Sequence, residues 1–142
     1  MNLSPNFTLA ELTHTDHRRL DNTPNDVELA NLQRLAEFLE TVKTTLGGKP
    51  IIVNSAFRSK AVNDAVGSKD SSQHRLGCAA DIRVPSMKPD EVVRAIIAAK
   101  LPFDQIIREF DAWTHVSIPS TPASTPRGSK LIIDRNGARP FV

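Results

Sequence analysis

Cysteine is almost absent from this chain of 142 residues, which contains only Cys78. A single cysteine excludes an intramolecular disulfide framework and a zinc site built from four thiolates. Long hydrophobic runs are also absent, because no stretch approaches the roughly 18 apolar residues of a membrane-spanning helix. The first residues, MNLSPNFTLAEL, have neither a positively charged start nor an apolar segment after it. We therefore expect that the chain has no conventional signal peptide and that it is synthesised in the cytoplasm.

The chain also lacks a large excess of positive or negative charge. The 18 basic and 16 acidic residues leave a formal charge of +2, and the densest basic run is Arg18-Arg19. Nucleic-acid-binding domains usually carry a clustered basic face, so we expect no nucleic-acid partner. Hydrophobic residues make up 39% and charged residues 24% of the chain, as in ordinary globular proteins. We expect one domain over residues 1–142, present as a monomer.

Two segments have the apolar spacing of amphipathic helices. The first is predicted over residues 25–46, with Asn25 and Glu28 spaced as a capping box and Gly47-Gly48 at its end. The second is predicted over roughly 88–100, with Pro89 in its first turn. One or two helical turns are also expected over 59–66.

Apolar and β-branched runs predict several strands. These are residues 50–57, 77–84, 103–110, 113–118 and a last strand at 130–134. Residues 1–24 are polar and broken by prolines, and residues 119–128 form a loop rich in proline, serine and threonine. Strands and helices are mixed without strict β-α-β repetition. The sequence therefore predicts an α+β fold, a mostly antiparallel sheet with helices packed on one side.

Two histidines and one aspartate occupy positions that adjacent strands can bring together. Alternate residues of a strand face the same way, so Asp81 and His115 can meet across two neighbouring strands. His74 lies in the loop before the strand of Asp81, and Gly77 allows that loop to fold back. Two imidazoles and one carboxylate are a common ligand set for catalytic zinc, with water as the fourth ligand. By spacing alone, a loop histidine and a strand-end charge remain the simpler explanation of these residues.

Ordered motifs add to this pattern. The segment SSQHRLGCAAD resembles the S-x-H-x-x-G-x-A-x-D motif of the zinc D-Ala-D-Ala metallopeptidases, whose fold is shared with the Hedgehog signalling domain. WTHVSI resembles their W-x-H-x-S segment, and VNSAFRS resembles their S-G-Y-R-S segment. The resemblance covers about residues 20–118 and is closest to short phage and prophage cell-wall peptidases. It implies a zinc peptidase domain with Zn²⁺ bound by His74, Asp81 and His115.

The resemblance also implies a substrate and its contacts. The substrate would be a peptidoglycan stem peptide, reached at the cell wall if a holin-like pore releases the protein. Arg58 would bind a carboxylate or carbonyl of the peptide with its planar guanidinium group. Ser72 and Gln73 would donate hydrogen bonds to the substrate or hold His74 in place.

The resemblance implies a general base shortly before the last histidine, and two acidic residues are candidates. Many family members have the acid three residues upstream, where this chain has Ala112. The candidates are therefore Glu109 and Asp111. If residues 111–112 form the tip of a hairpin, Glu109 lies across from about residue 114, beside His115, and Asp111 lies in the turn. We expect Glu109 to be the base.

Other residues capable of binding metal are not assigned to the site. Cys78 lies between two proposed ligands, but in a strand it faces away from Asp81 and is expected to fill the core. His14 and His17 lie in a polar N-terminal segment and are expected to be solvated. Two other functions stay open: a catalytically silent zinc-binding module of a phage structural protein, and a metal-free α+β domain.

Overall fold

The computed structural model describes residues 1–142, which form four α-helices, one 3₁₀ turn and eight strands. In chain order the elements are β1 (Asn2–Ser4), β2 (Phe7–Thr8), α1 (Leu9–Leu12), α2 (Asp26–Thr45), β3 (Ile52–Ser55), α3 (Lys60–Ala65), the 3₁₀ turn (Gln73–Leu76), β4 (Ala79–Arg83), α4 (Pro89–Ala98), β5 (Gln105–Glu109), β6 (Trp113–Ser117), β7 (Ser129–Asp134) and β8 (Gly137–Pro140). None of the helices has the length and apolar character required to cross a lipid bilayer.

Six strands form one mixed sheet in the order β3-β4-β6-β5-β7-β8. All neighbouring pairs are antiparallel except β5 and β7, which are parallel. The parallel pair follows from the connection: β6 ends where β5 begins, and the chain then passes to the free side of β5. A strand entered from that end must run in the same direction as β5. The predicted α+β class with a mostly antiparallel sheet is confirmed.

Helix α2 begins with the predicted capping box. The Asn25 side chain accepts a hydrogen bond from the Glu28 amide at 2.8 Å, and the Glu28 carboxylate accepts one from the Asn25 amide at 2.9 Å. The apolar side of α2 packs with α4 against one face of the sheet. Buried sheet residues of this core include Ala80, Ile82, Ile106 and Val116. The metal-binding candidates Asp81 and His115 lie on the opposite face.

Four short elements near the two ends of the chain were not predicted from the sequence. The polar N-terminal residues contain a β1–β2 hairpin and α1, whose Leu3, Phe7 and Leu12 are buried in the main core. At the other end, the predicted last strand, β7, is followed by β8. The turn at Asn136 and Gly137 reverses the chain, and β8 pairs antiparallel with β7. Each of these elements is too short for a hydrophobic period to be visible.

The β5–β6 hairpin differs from the expected register by one residue. Its connection is residues 110–112 rather than 111–112, and Glu109 pairs with Trp113 rather than with residue 114. Phe110 and Asp111 both adopt positive φ angles, 54° and 50°, which lengthens the connection beyond a two-residue turn. Directly opposed residues of a ladder share a face. The observed register therefore places Glu109 on the same face as Trp113 and His115.

Gly77 is the position where the chain folds back from the 3₁₀ turn into β4. Its φ angle is +80°, and a Cβ atom there would lie 2.9 Å from the Glu28 carbonyl oxygen and 3.2 Å from Leu32 Cγ. We expect Gly77→Ala to lower the free energy of unfolding by about 1–3 kcal/mol in chemical denaturation, because both the backbone and the contact are unfavourable. Gly67→Ala is the matched control, with φ +75° and no atom within 4 Å. Equal losses in both variants would show that the contact with α2 has no cost.

Candidate active site

The sheet itself brings two of the candidate ligands together. Asp81 on β4 lies directly opposite His115 on β6, so both side chains emerge on the same face. His74 belongs to the 3₁₀ turn, which Gly77 closes in a left-handed conformation immediately before β4. The candidate ligand atoms of His74, Asp81 and His115 all lie within 4.8 Å of one another.

The spacing of these atoms suits a tetrahedral zinc ion. Asp81 Oδ1 lies 3.0 Å from His115 Nδ1 and 3.3 Å from His74 Nε2. Ligands about 2.0–2.2 Å from a tetrahedral zinc ion are about 3.3–3.6 Å apart, and the two distances from Asp81 lie close to this range. Two imidazole nitrogens and one carboxylate oxygen also form a usual donor set for zinc. The residues present therefore fit the metal.

A main-chain contact sets the orientation of His74. Its Nδ1 lies 2.7 Å from the carbonyl oxygen of Ala56. A carbonyl oxygen can only accept, so Nδ1 carries the proton and donates it. This hydrogen bond leaves Nε2 as the nitrogen that faces Asp81. A hydrogen bond to the nitrogen that does not bind the metal fixes the ring orientation and the tautomer of a metal-binding histidine.

The three side chains are largely removed from solvent. His74 is 4% exposed and His115 is 8% exposed. Burial alone would raise the pKa of Asp81, but the hydrogen bonds and charges of His115 and His74 outweigh it and hold the pKa well below its usual value. Asp81 is thus ionised, which is the form that binds a metal.

Glu109 lies next to this group on the open face of the sheet, which is the face opposite α2 and α4. It is opposite Trp113, which is two positions from His115 along β6, so Glu109 and His115 are diagonal neighbours. Diagonal positions lie about 7–8 Å apart, within reach of a long side chain. Burial raises the pKa of Glu109, and the negative charge of Asp81 raises it further, while His115 and Arg58 oppose the change. A carboxyl group that gives up its proton less readily is suited to accepting and returning one.

Asp111, the other candidate base, does not join the group. Its side chain is 75% exposed, and its carboxylate lies 3.1 Å from the Arg108 guanidinium. Arg108 pairs with Thr114, so its side chain leaves the sheet on the face opposite His115. The structure therefore brings Glu109, and not Asp111, to the three candidate ligands.

Arg58 reaches the site from the turn after β3. Its Nε donates to Ser55 Oγ at 3.3 Å, and one terminal nitrogen lies 3.6 Å from Asp81 Oδ2. The side chain is 16% exposed, and neither terminal nitrogen has a hydrogen bond within the protein. The guanidinium group is therefore held in place at its base, and its outer N–H groups, whose one contact in the protein is the ion pair with Asp81, can bind a substrate oxygen.

Ser72 and Gln73 lie beside His74, but their side chains form hydrogen bonds within the protein. Ser72 Oγ accepts a hydrogen bond from the His74 amide at 3.3 Å and caps the 3₁₀ turn. The Gln73 amide donates to Asp104 Oδ2 at 3.0 Å and to the Ile118 carbonyl at 3.2 Å. Both residues hold the turn that carries His74, and their roles in binding substrate stay predictions.

Three contributors to the site were not found from the sequence. Ser55 fixes Arg58, and its position three residues upstream within VNSAFRS is a signal that could have indicated this role. The Ala56 carbonyl orients His74, but a main-chain group leaves no trace in residue type. Asp104 binds both Gln73 and Arg127, and nothing in the sequence pattern links these positions.

Two buried imidazoles and an ionised carboxylate beside a half-buried glutamate are the arrangement of a zinc-dependent hydrolytic site. The profile of the Peptidase M15 family matches residues 5–117. The chain belongs to this family, and the predicted family and the Zn²⁺ cofactor are confirmed. The match begins within the N-terminal hairpin, earlier than the predicted resemblance at about residue 20.

A characterised relative is similar to part of the chain. The zinc D-Ala-D-Ala carboxypeptidase of Streptomyces albus G is 36% identical over 81 residues. The matched region covers 54% of this chain and 31% of the relative. The chain thus spans less than a third of that protein's length.

Arg58→Lys tests the role of the planar guanidinium group. Lysine keeps the charge but loses the Nε contact with Ser55 and the paired N–H groups. We expect kcat/KM to fall by about tenfold or more, corresponding to about 1.5–3 kcal/mol of charged hydrogen bonding, with zinc content unchanged. Arg19→Lys, in the exposed N-terminal loop, is the control. Unchanged peptide hydrolysis by the Arg58 variant would contradict the role.

Proposed function

We propose that this protein is a zinc peptidase that hydrolyses peptidoglycan stem peptides, with His74, Asp81 and His115 as its zinc ligands and Glu109 as its general base. The observation that carries the proposal is the convergence of the three ligand atoms within 4.8 Å on the open face of the sheet, beside Glu109. A silent binding module has no need of a half-buried carboxylate at that position.

The side chains divide the work of hydrolysis. Zinc, when bound, lowers the pKa of a water molecule and polarises the carbonyl of the bond to be cut. Glu109 accepts the proton of the attacking water and passes it to the leaving amine. Arg58 holds a substrate oxygen with its outer N–H groups. Ala56 keeps His74 in one tautomer throughout, through the hydrogen bond at its Nδ1.

The substrate is proposed from the relative and from the motifs. The Streptomyces relative is named for D-Ala-D-Ala, which supports a D-alanine-containing stem peptide for this chain too. Three bonds are candidates: a terminal D-Ala, the D-Ala–diaminopimelate crosslink, and L-Ala–D-Glu. Their products differ in mass and in the new chain ends, so they can be separated by one digestion.

Digestion of purified peptidoglycan, with mass spectrometry of the new chain ends, tests the function directly. We expect the zinc-loaded protein to release new ends at one type of bond, and zinc-loaded Glu109→Gln to release them at least about a hundredfold more slowly. Zinc binding without new ends from the unmodified protein would instead favour the silent zinc-binding module. The absence of zinc by elemental analysis would favour a metal-free domain.

We further propose that the protein acts as a monomeric endolysin, made in the cytoplasm and released to the cell wall by a pore-forming partner. Its resemblance to short phage cell-wall peptidases supports this setting. Co-expression with a holin should lyse the host, whereas expression of either protein with an inactive partner should not. Lysis that is equally fast with the Glu109→Gln variant would contradict this role.

A further inference from the structure

The indole of Trp113 carries a buried hydrogen-bond donor that has no acceptor. Its Nε1 atom is shielded from solvent and has no hydrogen-bond partner within the protein. An indole N–H group can only donate, so it is satisfied by an acceptor and by nothing else. Buried polar groups nearly always find a partner, and each exception calls for an explanation. The zinc ligands, the general base and Arg58 leave Trp113 without a role in hydrolysis.

The nearest candidate acceptor lies directly across the ladder. Trp113 on β6 pairs with Glu109 on β5, and directly opposed residues share a face with Cβ atoms about 4.5–5.5 Å apart. Both side chains are long enough to meet at that spacing. On its other side Glu109 pairs with Ile133 on β7, whose side chain has no hydrogen-bonding group. Trp113 is therefore the one directly opposed neighbour that can donate to the Glu109 carboxylate.

The electrostatics of Glu109 already reflect this neighbour. Burial raises the pKa of Glu109, and the Trp113 side chain is among the groups that oppose the rise. A donor has this effect because it favours the ionised form of a carboxyl group. The terminal torsion of a glutamate is broad, so a small rotation of the carboxylate costs little. Such a rotation can bring one Glu109 oxygen to the indole.

The indole itself is held by the tip of the hairpin. Phe110 has a positive φ angle of 54°, and its ring lies against that of Trp113 with the centroids 5.7 Å apart and the planes 38° apart. Aromatic rings at this separation attract each other. The N–H group is thus presented from a supported ring, and the Glu109 carboxylate is the part that turns towards it.

We propose that Trp113 is a positioning residue, whose indole N–H donates to one oxygen of the ionised Glu109 carboxylate and leaves the other oxygen for the attacking water. The inference rests on the proposed function for the role of Glu109 as general base. A hydrogen bond to an ionised acceptor is stronger than one between neutral groups, so the base is held in one orientation. A base held in its productive orientation does not have to be reoriented at each turnover.

Replacement of the indole N–H by sulfur tests this role in the enzyme. Trp113 is the only tryptophan in the chain, so growth of a tryptophan auxotroph on benzothienylalanine exchanges this ring alone for one of nearly the same shape without an N–H. We expect kcat on a stem peptide to fall about tenfold or more, with KM and zinc content unchanged. Fluorotryptophan, introduced in the same way, keeps the N–H and should leave kcat unchanged.

A second background shows whether Trp113 acts through Glu109. In Glu109→Gln the sulfur-containing ring should have almost no further effect, because no base is left to position. An equal loss of kcat in both backgrounds, or no loss in the unmodified background, would overturn the proposal.

Ultraviolet resonance Raman spectra of the zinc-free protein test the contact separately from catalysis. The chain has one tryptophan and no tyrosine, so the indole bands belong to Trp113 alone. In mildly alkaline solution, where Glu109 is ionised, we expect the band that is sensitive to the N–H group to report a hydrogen bond. Glu109→Ala should shift this band to the position of an unbonded indole, and Asp111→Asn should leave it unchanged.

The two measurements separate this proposal from the proposed function. If the spectra follow the expected pattern but no peptide is cleaved, the proposed function fails and the contact between Trp113 and Glu109 stands. If peptides are cleaved and Glu109→Ala leaves the band unchanged, the contact fails and the function stands.

Discussion

Glu109→Gln is expected to reduce turnover by about 10²–10⁴-fold while leaving zinc bound, because a general base typically contributes this factor. Glutamine keeps the shape of the side chain but cannot accept the proton of the attacking water. The three candidate ligands are untouched, so zinc content by elemental analysis should match that of the unmodified protein. Single-turnover kinetics on a stem peptide would measure the loss in the chemical step.

Asp111→Asn is the matched control for this prediction. Asp111 also carries a carboxylate in the same hairpin, but it contacts Arg108 on the far face of the sheet. We expect its replacement to change turnover by less than a factor of about two, since exposed ion pairs contribute little. An exchange of phenotypes would mean that Asp111 is the base, and full activity in both variants would exclude both residues.

Removal of either candidate histidine ligand is expected to abolish tight zinc binding. His74→Ala and His115→Ala each remove one of three protein ligands, and the cost should exceed the 10–100-fold caused by losing an outer partner. Chelator competition would measure the affinity, and activity should be lost with the metal. Circular dichroism beside the zinc-free unmodified protein would show whether the variants remain folded.

Cys78→Ser is the control for the choice of ligands. Cys78 is fully buried in the hydrophobic core, and burial raises the pKa of its thiol, which disfavours the thiolate that binds metal. We expect the serine variant to keep its zinc. Loss of zinc in this variant, or its full retention in His74→Ala, would show that the ligand set is wrong.

Much of the site could be predicted from the sequence, because the alternation of side chains along a strand determines the face of the sheet on which each residue lies. Asp81 and His115 lie in runs whose period of two places them on the side of the sheet away from the core. Helix α2 was predictable for a similar reason, since its capping box and apolar spacing are local signals. Local patterns of this kind persist in the fold because packing uses the same periodicity.

Other features depended on contacts that no local pattern encodes. The shift of one residue in the β5–β6 register arose from the left-handed conformations of Phe110 and Asp111, which are uncommon for residues other than glycine. The role of Gln73 depends on Asp104, 31 positions away along the chain. The N-terminal loop is joined to the turn after β3 by the Asn22 side chain, which donates to the Thr13 and Phe57 carbonyls. Such contacts are set by tertiary structure alone.

The pairing of β4 with β6 has a consequence for how the protein matures. Asp81 and His115 lie 34 positions apart and meet only when these two strands are paired. A chain emerging from the ribosome cannot assemble the full ligand set until the hairpin has docked, so metal loading follows folding of the central sheet. Once bound, the ion stabilises that pair by mass action. Zinc supply should therefore limit the lifetime of the folded protein as well as its catalytic rate.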